Sequence, residues 1–502
     1  MLRRTQCRAI PIWQISAGSR GLPLLPLLTS NPDQHGHGTH VAGIAAGRAA
    51  ESGSQRSLNG VAPNARLVDV RVLNGYGLGQ ASDVIAGIDW VLEHRLLYNI
   101  RVMNLSLGVS SSESWETDPV CRAARRAVAA GITVVASAGN RGSTPDRSLE
   151  LYGGITAPGN DPTVIAVGAA NTKQTDARSD ESITYFSSRG PTRTFALKAD
   201  GTKRYDNLLK PDLVAPGNRL VSAESDDSWF VSQHPEFHVS GEGRSGWMQM
   251  SGTSMAAPVV TGAVALLLQK NPGLTPPLVK AILQYTAQQG SNANLMQQGA
   301  GLLNVEGAVR LADAVRRDVA SATSMGGMDV GDGLLRSGVQ MPTPASYVNG
   351  QQTNWGRYIF AGGSHILAGE ELFRRYQAIY NPQLVWVRDR VSDENGAWTG
   401  GQLITPNVIN ANVIVGNDSV FVLGSRLSDD IVSGHGIALA DGIALADGIA
   451  LADGIALADG IALADGIALA DGIALADGIA LADGIALADG MALADACHAG
   501  EP

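Results

Sequence analysis

The 502-residue chain is poor in cysteine and aromatics, and it has no long apolar run. Cys7, Cys121 and Cys497 are odd in number, far apart and without metal-ligand spacing, so they form neither a disulfide framework nor a recognisable metal motif. No stretch approaches the ~18–20 consecutive apolar residues of a membrane-spanning helix. Acidic residues are missing before Asp33, and basic residues are missing after Arg426. The net charge of -10 is therefore unevenly spread. Ten aspartates of a C-terminal repeat and Glu501 account for it; the remainder carries about +1, a balance that implies neither a nucleic-acid nor a membrane-surface partner. The N-terminus has Arg3, Arg4 and Arg8, but Gln14, Arg20 and several prolines interrupt the apolar residues that follow, so it does not read as a secretory signal.

What is present suits a packed core: 44% hydrophobic and 17% charged residues, over a length that allows more than one domain. Residues 37–47 are expected to form a helix, Arg66–Val72 a strand, Ser82–His94 a helix with Val84, Ile85, Ile88, Val91 and Leu92 on one stripe, and Val102–Leu107 a strand. Cys121–Ala130 (helix), Ile132–Ala136 (strand) and Val164–Ala169 (strand) follow. Thr275 caps a helix with prolines in its first turn that runs to Thr286, and another helix closes near Val315. Strands alternating with helices at this spacing predict right-handed crossovers and a mainly parallel sheet covered on both faces, a three-layer α/β sandwich.

The expected divisions are an unassigned segment 1–30, the α/β domain 31–318, a linker or small accessory region 319–406, a repeat region 407–495 and a tail 496–502. Region 319–406 holds the aromatic group Trp355, Tyr358, Phe360, Phe373, Tyr376, Tyr380 and Trp386, which either packs on the domain or stands as a small module. From 436 to 495 the unit Gly-Ile-Ala-Leu-Ala-Asp repeats with one change, Met491 for Ile. A six-residue period preserves the side-chain alternation of a strand and drifts around a helix. A β-solenoid and a low-complexity disordered tail are the two readings of it.

Three stretches carry chemistry. Ser251-Gly252-Thr253-Ser254-Met255-Ala256-Ala257-Pro258 places a hydroxyl at the start of a helix that is apolar on nearly every face. Unpaired N–H groups and a positive dipole end there favour a developing oxyanion, and Gly252 allows close backbone approach. Taken alone, this serine would be an ordinary helix cap. Two upstream stretches outweigh that reading: His35-Gly36-His37-Gly38-Thr39-His40-Val41-Ala42-Gly43, opening another apolar helix, and Val134-Val135-Ala136-Ser137-Ala138-Gly139-Asn140, a strand ending in a small-residue turn and an amide.

Together with Ser106-Leu107-Gly108, these motifs resemble, in the same order, those of the subtilisin-like serine peptidases, over residues 31 to 318. The resemblance implies Ser254 as nucleophile, His37 as general base and Asn140 as oxyanion donor beside the Ser254 N–H. It also implies that Ser106, Leu107 and Gly108, with Gly77, Leu78 and Gly79, are two edges holding an extended polypeptide substrate. Leu107, Gly108, Ala136 to Gly139 and the residues around Thr156 would line a pocket for an apolar side chain. A metal site from His35, His37 and His40 lacks an accompanying carboxylate or cysteine cluster. Structural calcium and a secreted or cell-surface location follow from the resemblance only, and no ligand loop is visible.

One family element is missing. The family's orienting aspartate stands at the end of an early strand, in an apolar-Asp-Ser/Thr-Gly context, and this chain has none before the histidine motif. Asp33 resembles the polar residues that precede that motif instead, and the expectation is a truncated or wrongly begun chain. An inactive peptide-binding module and a structural or surface protein working through its repeat tail are the alternative readings.

Overall fold

The computed structural model describes residues 33–48, 58–240, 246–290, 293–348, 350–363, 365–387, 390–393 and 398–400, with the backbones of Trp13–Gln14 and Gly490–Ala492. Apart from those two short strands, segment 1–30, the repeat region with its two readings, and the tail 496–502 lie outside the described residues.

In chain order, the part that carries the motifs consists of helix α1 (His37–Ala46), strand β1 (Leu78–Gln80), helix α2 (Ala81–Tyr98), strand β2 (Val102–Leu105) and helix α3 (Pro119–Ala129). Strands β3 (Thr133–Ser137), β4 (Ile165–Asn171), β5 (Leu213–Pro216), β6 (Leu220–Ala223) and β7 (Trp247–Met250) follow. Helices α4 (Thr253–Lys270), α5 (Pro276–Thr286) and α6 (Val305–Ala314) complete it. The helix starts obey local chemistry. Asp118 accepts from the N–H groups of Val120 and Cys121 at 2.9 Å each, with Pro119 in the first turn of α3. Thr275 accepts from Leu278 N–H at 3.4 Å ahead of the prolines of α5.

The central sheet runs β5-β4-β3-β2, every pair parallel, with the short strand Ser182–Ile183 added antiparallel to β4. Every residue of β3 and β4 is buried, because side chains alternate between two covered faces. Val134 and Ala136 pack with Val84, Ile88 and Val91 of α2 and Val120 and Val128 of α3. Val135, Ile165 and Val167 pack with Val260, Val264 and Leu267 of α4 and Ile282 of α5. The result is helices on both faces of a mostly parallel sheet, as the strand–helix alternation predicts. No helix among the described residues is long and apolar enough to cross a membrane.

One predicted strand is much shorter than expected. Of Arg66–Val72 only Val70–Arg71 is a strand, paired in parallel with Trp13–Gln14, while Leu67 and Val68 stay 39% and 38% exposed. A ladder needs a partner at each residue, and Arg66–Asp69 has none among the described residues.

Hairpins Ala345–Val348/Gln351–Asn354, Tyr358–Ala361/His365–Ala368 and Leu384–Val387/Arg390–Asp393 lie beyond α6. Aromatics of this region join the same core as α5. Tyr285 meets Phe373 at 4.7 Å and Trp355 at 6.2 Å between ring centroids. Polar bonds seal the seam: Phe360 N–H donates to Gln284 Oε1 at 3.1 Å and Thr275 Oγ1 to the Tyr380 carbonyl at 2.7 Å.

Beneath β4, α5 and β5 meet around one buried carboxylate. Asp212 accepts from Ala166 N–H (2.8 Å), Lys210 Nζ (2.8 Å), Lys280 Nζ (2.7 Å) and Gln284 Nε2 (3.1 Å), and both lysines also donate to the Val164 carbonyl. Two lysine side chains share one buried carboxylate. Burial therefore pulls Lys280 down to about 8, with Asp212 opposing the shift and Lys210 adding to it. Between that value and the 10.5 of an unfolded lysine the unfolded chain binds more protons, so this group's contribution to stability rises as pH climbs from 8 to 10.5. Urea denaturation of the native chain and Lys280→Met across that window should show the native chain gaining relative to the variant. A constant difference would mean that Lys280 does not titrate there.

Candidate active site

The histidine end is built by a turn that only glycine fits. Gly36 has φ 96°, and a Cβ there would lie 2.3 Å from Ser228 Oγ. Ser228 Oγ donates to the His35 carbonyl (3.0 Å) and Ser225 Oγ to that of Asp33 (2.7 Å), clamping the turn. Asp33 spends both oxygens on the start of α1: Oδ1 accepts from Gly36 N–H (2.9 Å), and Oδ2 from Thr39 N–H (2.8 Å) and Thr39 Oγ1 (3.1 Å). It holds the helix terminus.

The three histidines have different surroundings. His40 Nε2 lies between the carbonyls of Leu220 on β6 (3.1 Å) and Met248 on β7 (3.2 Å); both are acceptors, so that nitrogen carries a hydrogen. His35 packs on Trp229 and Phe230, with centroids at 5.5 and 5.9 Å. His37, at the start of α1, is buried, and its Nε2 has no hydrogen-bond partner among the described residues. Burial lowers its pKa to about 3, with His35 and His40 adding to the effect and Asp33 opposing it, so the imidazole is neutral at ordinary pH. With His40 Nε2 committed to backbone carbonyls, the three rings do not share one ligand geometry. No group of three or more His, Cys, Asp or Glu side chains among the described residues is arranged to hold a metal ion.

The serine end depends on a proline. Pro258 lies inside α4, so the Ser254 carbonyl four residues earlier has no N–H to accept. Ser106 Oγ donates to that carbonyl at 2.8 Å, receives Asn104 Nδ2–H at 2.9 Å, and Asn104 Oδ1 in turn accepts from Thr261 Oγ1 at 2.8 Å. Ser254 and Thr261 stand two turns apart on α4, and the chain of bonds runs between them through the end of β2. The Ser254 hydroxyl donates to the Ser106 carbonyl at 3.4 Å.

Asn140 reaches the same helix end. Its Oδ1 accepts from Thr253 N–H (2.9 Å) and Thr253 Oγ1 (3.0 Å), which fixes the amide beside Ser254 through its oxygen. Gly139 N–H donates to Thr253 Oγ1 at 3.2 Å. The segments expected to line a pocket are tied together nearby. Thr156 N–H donates to the Ala138 carbonyl (3.0 Å), Val109 and Ala157 exchange both backbone bonds at 3.0 Å, and Ser137 Oγ donates to the Leu107 carbonyl (3.4 Å). A Cβ on Gly108 would come within 2.5 Å of Thr156 Oγ1, and one on Gly139, at φ 107°, within 2.8 Å of Ser188 Oγ.

Ser106 is thus bonded to Ser254, and Asn140 and Gly139 to the adjacent Thr253, while Leu107 is bonded to Ser137 and Gly108 lies close against Thr156. Helix α1 packs on α4 through Val41 and Ile44 against Met255 and Val259, with His37 one turn before Val41. Imidazole and hydroxyl are not hydrogen bonded to each other. Gly77, Leu78 and Gly79 stand apart, with no hydrogen bond among the described residues to Leu107, Gly108 or Gly139. Sequence reasoning missed Thr253, Asn104 and Thr261. A signal existed for two of them: Asn104 two residues before Ser106, and the threonine between Gly252 and Ser254.

Residues 28–301, more than half the chain, match the profile of the subtilase family, Peptidase S8. The chain is 37% identical over 287 residues to serine protease AprX of Bacillus subtilis, covering 55% of this chain and 58% of AprX. It is 32% identical over 280 residues to subtilisin DY of Bacillus licheniformis (56% and 80%), and 35% identical over 258 residues to an extracellular serine proteinase of a Thermus species (51% and 47%). The chain thus spans little more than half the length of AprX.

Replacing Ser106 by alanine strips the buried Ser254 carbonyl of its donor and leaves an Asn104 N–H without an acceptor. The loss expected in urea denaturation is about 1–3 kcal/mol. Unchanged stability would show that water or a helical N–H fills the place.

Proposed function

The chain belongs to the subtilase family, and from that premise we propose that it is a serine endopeptidase that cleaves polypeptides through an acyl-enzyme. In this reading Ser254 Oγ attacks the scissile carbonyl while His37 takes its proton. The resulting oxyanion lies at the α4 terminus against the Ser254 N–H and the Asn140 amide. His37 then protonates the departing amine, and water attacks the acyl group by the same path. The observation that carries the reading is the network joining Asn140, Ser106 and Ser254 at the start of α4, with the neutral His37 on the helix packed against it. Small uncharged residues beside the network, Gly108 and Gly139, favour an apolar side chain before the cleaved bond.

The orienting carboxylate has no occupant among the described residues, since Asp33 holds the turn. Loss of that acid alone lowers turnover ~10⁴-fold in serine proteases, so slow acylation is the expectation. A peptide-binding module without turnover is the second reading. It draws on the unpartnered His37 Nε2 and the Ser254 hydroxyl turned to the Ser106 carbonyl.

A fluorophosphonate should label Ser254 and leave Ser254→Ala unlabelled; equal labelling of both favours the second reading. Asn140→Ala should slow acylation by about 10²–10³-fold, the range for removing one oxyanion donor from a serine protease. A base acts when deprotonated, and His37 stays deprotonated down to about pH 3, so the labelling rate should be flat from pH 5 to 8. A limb centred near pH 7 would reveal a carboxylate on the imidazole.

A further inference from the structure

Strand β1 ends a turn pinned by Asn74. Asn74 Oδ1 accepts from Tyr76 N–H (2.9 Å) and Leu78 N–H (3.2 Å), and Asn74 N–H donates to the Leu78 carbonyl (2.8 Å). Both backbone groups of Leu78 are thus turned back into the loop. By the alternation of a strand, those of Gly79 face outward, toward whatever lies alongside. A side chain at Gly79 would run within 2.5 Å of the Val72 carbonyl, so the edge stays a glycine edge.

Among the described residues β1 has one strand partner, and it belongs to the repeat. Gly490–Ala492 lies antiparallel to it, with Gly490 opposite Gln80, Met491 opposite Gly79 and Ala492 opposite Leu78. This is the edge that the sequence motifs set aside for an extended peptide. The repeat suits the place: it has no basic residue, it offers small and aliphatic side chains, and an extended chain of its even period would present the same face in each of ten units between 436 and 495. Tethering adds to this, since a linked segment meets its site at an effective concentration of roughly millimolar.

We propose that the repeat tail is a tethered occupant of the β1 edge, lying there as an added strand in the place of a polypeptide substrate. The inference rests on the reading of β1 as a substrate edge, and it makes the tail a competitor in cis whose release sets access to Ser254.

Two measurements on the full-length chain test it. The first places Leu78→Cys and Ala492→Cys together, with Cys7→Ser and Cys497→Ser, and maps the disulfide by peptide mass under mild oxidation. An intramolecular 78–492 link is expected. Its absence, or a link joining two molecules, overturns the proposal. The second compares the native repeat with a full-length variant carrying proline at the second position of every unit, Ile437 through Met491. A tetra-alanyl phosphonate must lie along β1, whereas a small fluorophosphonate need not. The proline variant should react about tenfold faster with the peptide probe, as for a competitor at millimolar effective concentration, and equally fast with the small one. Equal peptide-probe rates overturn the proposal. If the small probe labels neither form, the reading of Ser254 as nucleophile fails, and the 78–492 link alone decides where the tail lies.

Discussion

The bond from Ser106 Oγ to the Ser254 carbonyl depends on a missing hydrogen. Helix α4 runs through the centre of the sandwich, where a backbone carbonyl without a donor is expensive. Proline at 258 removes the helical N–H that would satisfy residue 254 and would ordinarily destabilise a helix interior by about 3 kcal/mol. A serine from the end of β2 takes over, held by Asn104, which is held in turn by Thr261 two turns along the same helix. The first turn of α4 is thereby fixed to the sheet rather than to the next turn. Asn140 and the Gly139 N–H, just past the end of β3, then meet Thr253 on α4. The geometry of the site is a consequence of how the helix start is satisfied.

Burial does comparable work at the histidine end. A neutral imidazole can accept a proton, and the packing of α1 against α4, β6 and β7 keeps His37 neutral far below the usual histidine range. The same packing makes His37 a weak base. In serine proteases a carboxylate offsets this by stabilising the imidazolium that forms. Asp33 acts on His37 only through space, because its oxygens cap α1. The serine end is therefore held by bonds to its neighbours, whereas no carboxylate among the described residues is bonded to His37.

Much of the fold was legible because its central strands are mostly apolar and several helices, α3, α5 and α6, carry their own caps. Ile132–Ala136 and Val164–Ala169 fell within a residue or two of β3 and β4, and Thr275 was recognisable as a cap. Arg66–Val72 was not legible in the same way: its composition is that of a strand, yet the ladder extends only as far as a partner does. Of the site, Ser254 and Asn140 could be found from their motifs because a nucleophile at a helix start and an amide after a strand are local patterns. Thr253 as the anchor of Asn140 could not, since the bond joins residues 113 positions apart.

By itself the sequence determined the period of the core, the order of its layers and the short motifs that belong at the ends of strands and the starts of helices. These depend on neighbours one to four residues away. Only the tertiary structure decided that His40 is bound by two carbonyls while His37 is not, that Ser106 serves the backbone of Ser254, and that β1 lies beside a strand of the repeat. Each of those outcomes is set by a donor or acceptor more than a hundred residues distant, and local pattern holds no record of which distant group will supply it.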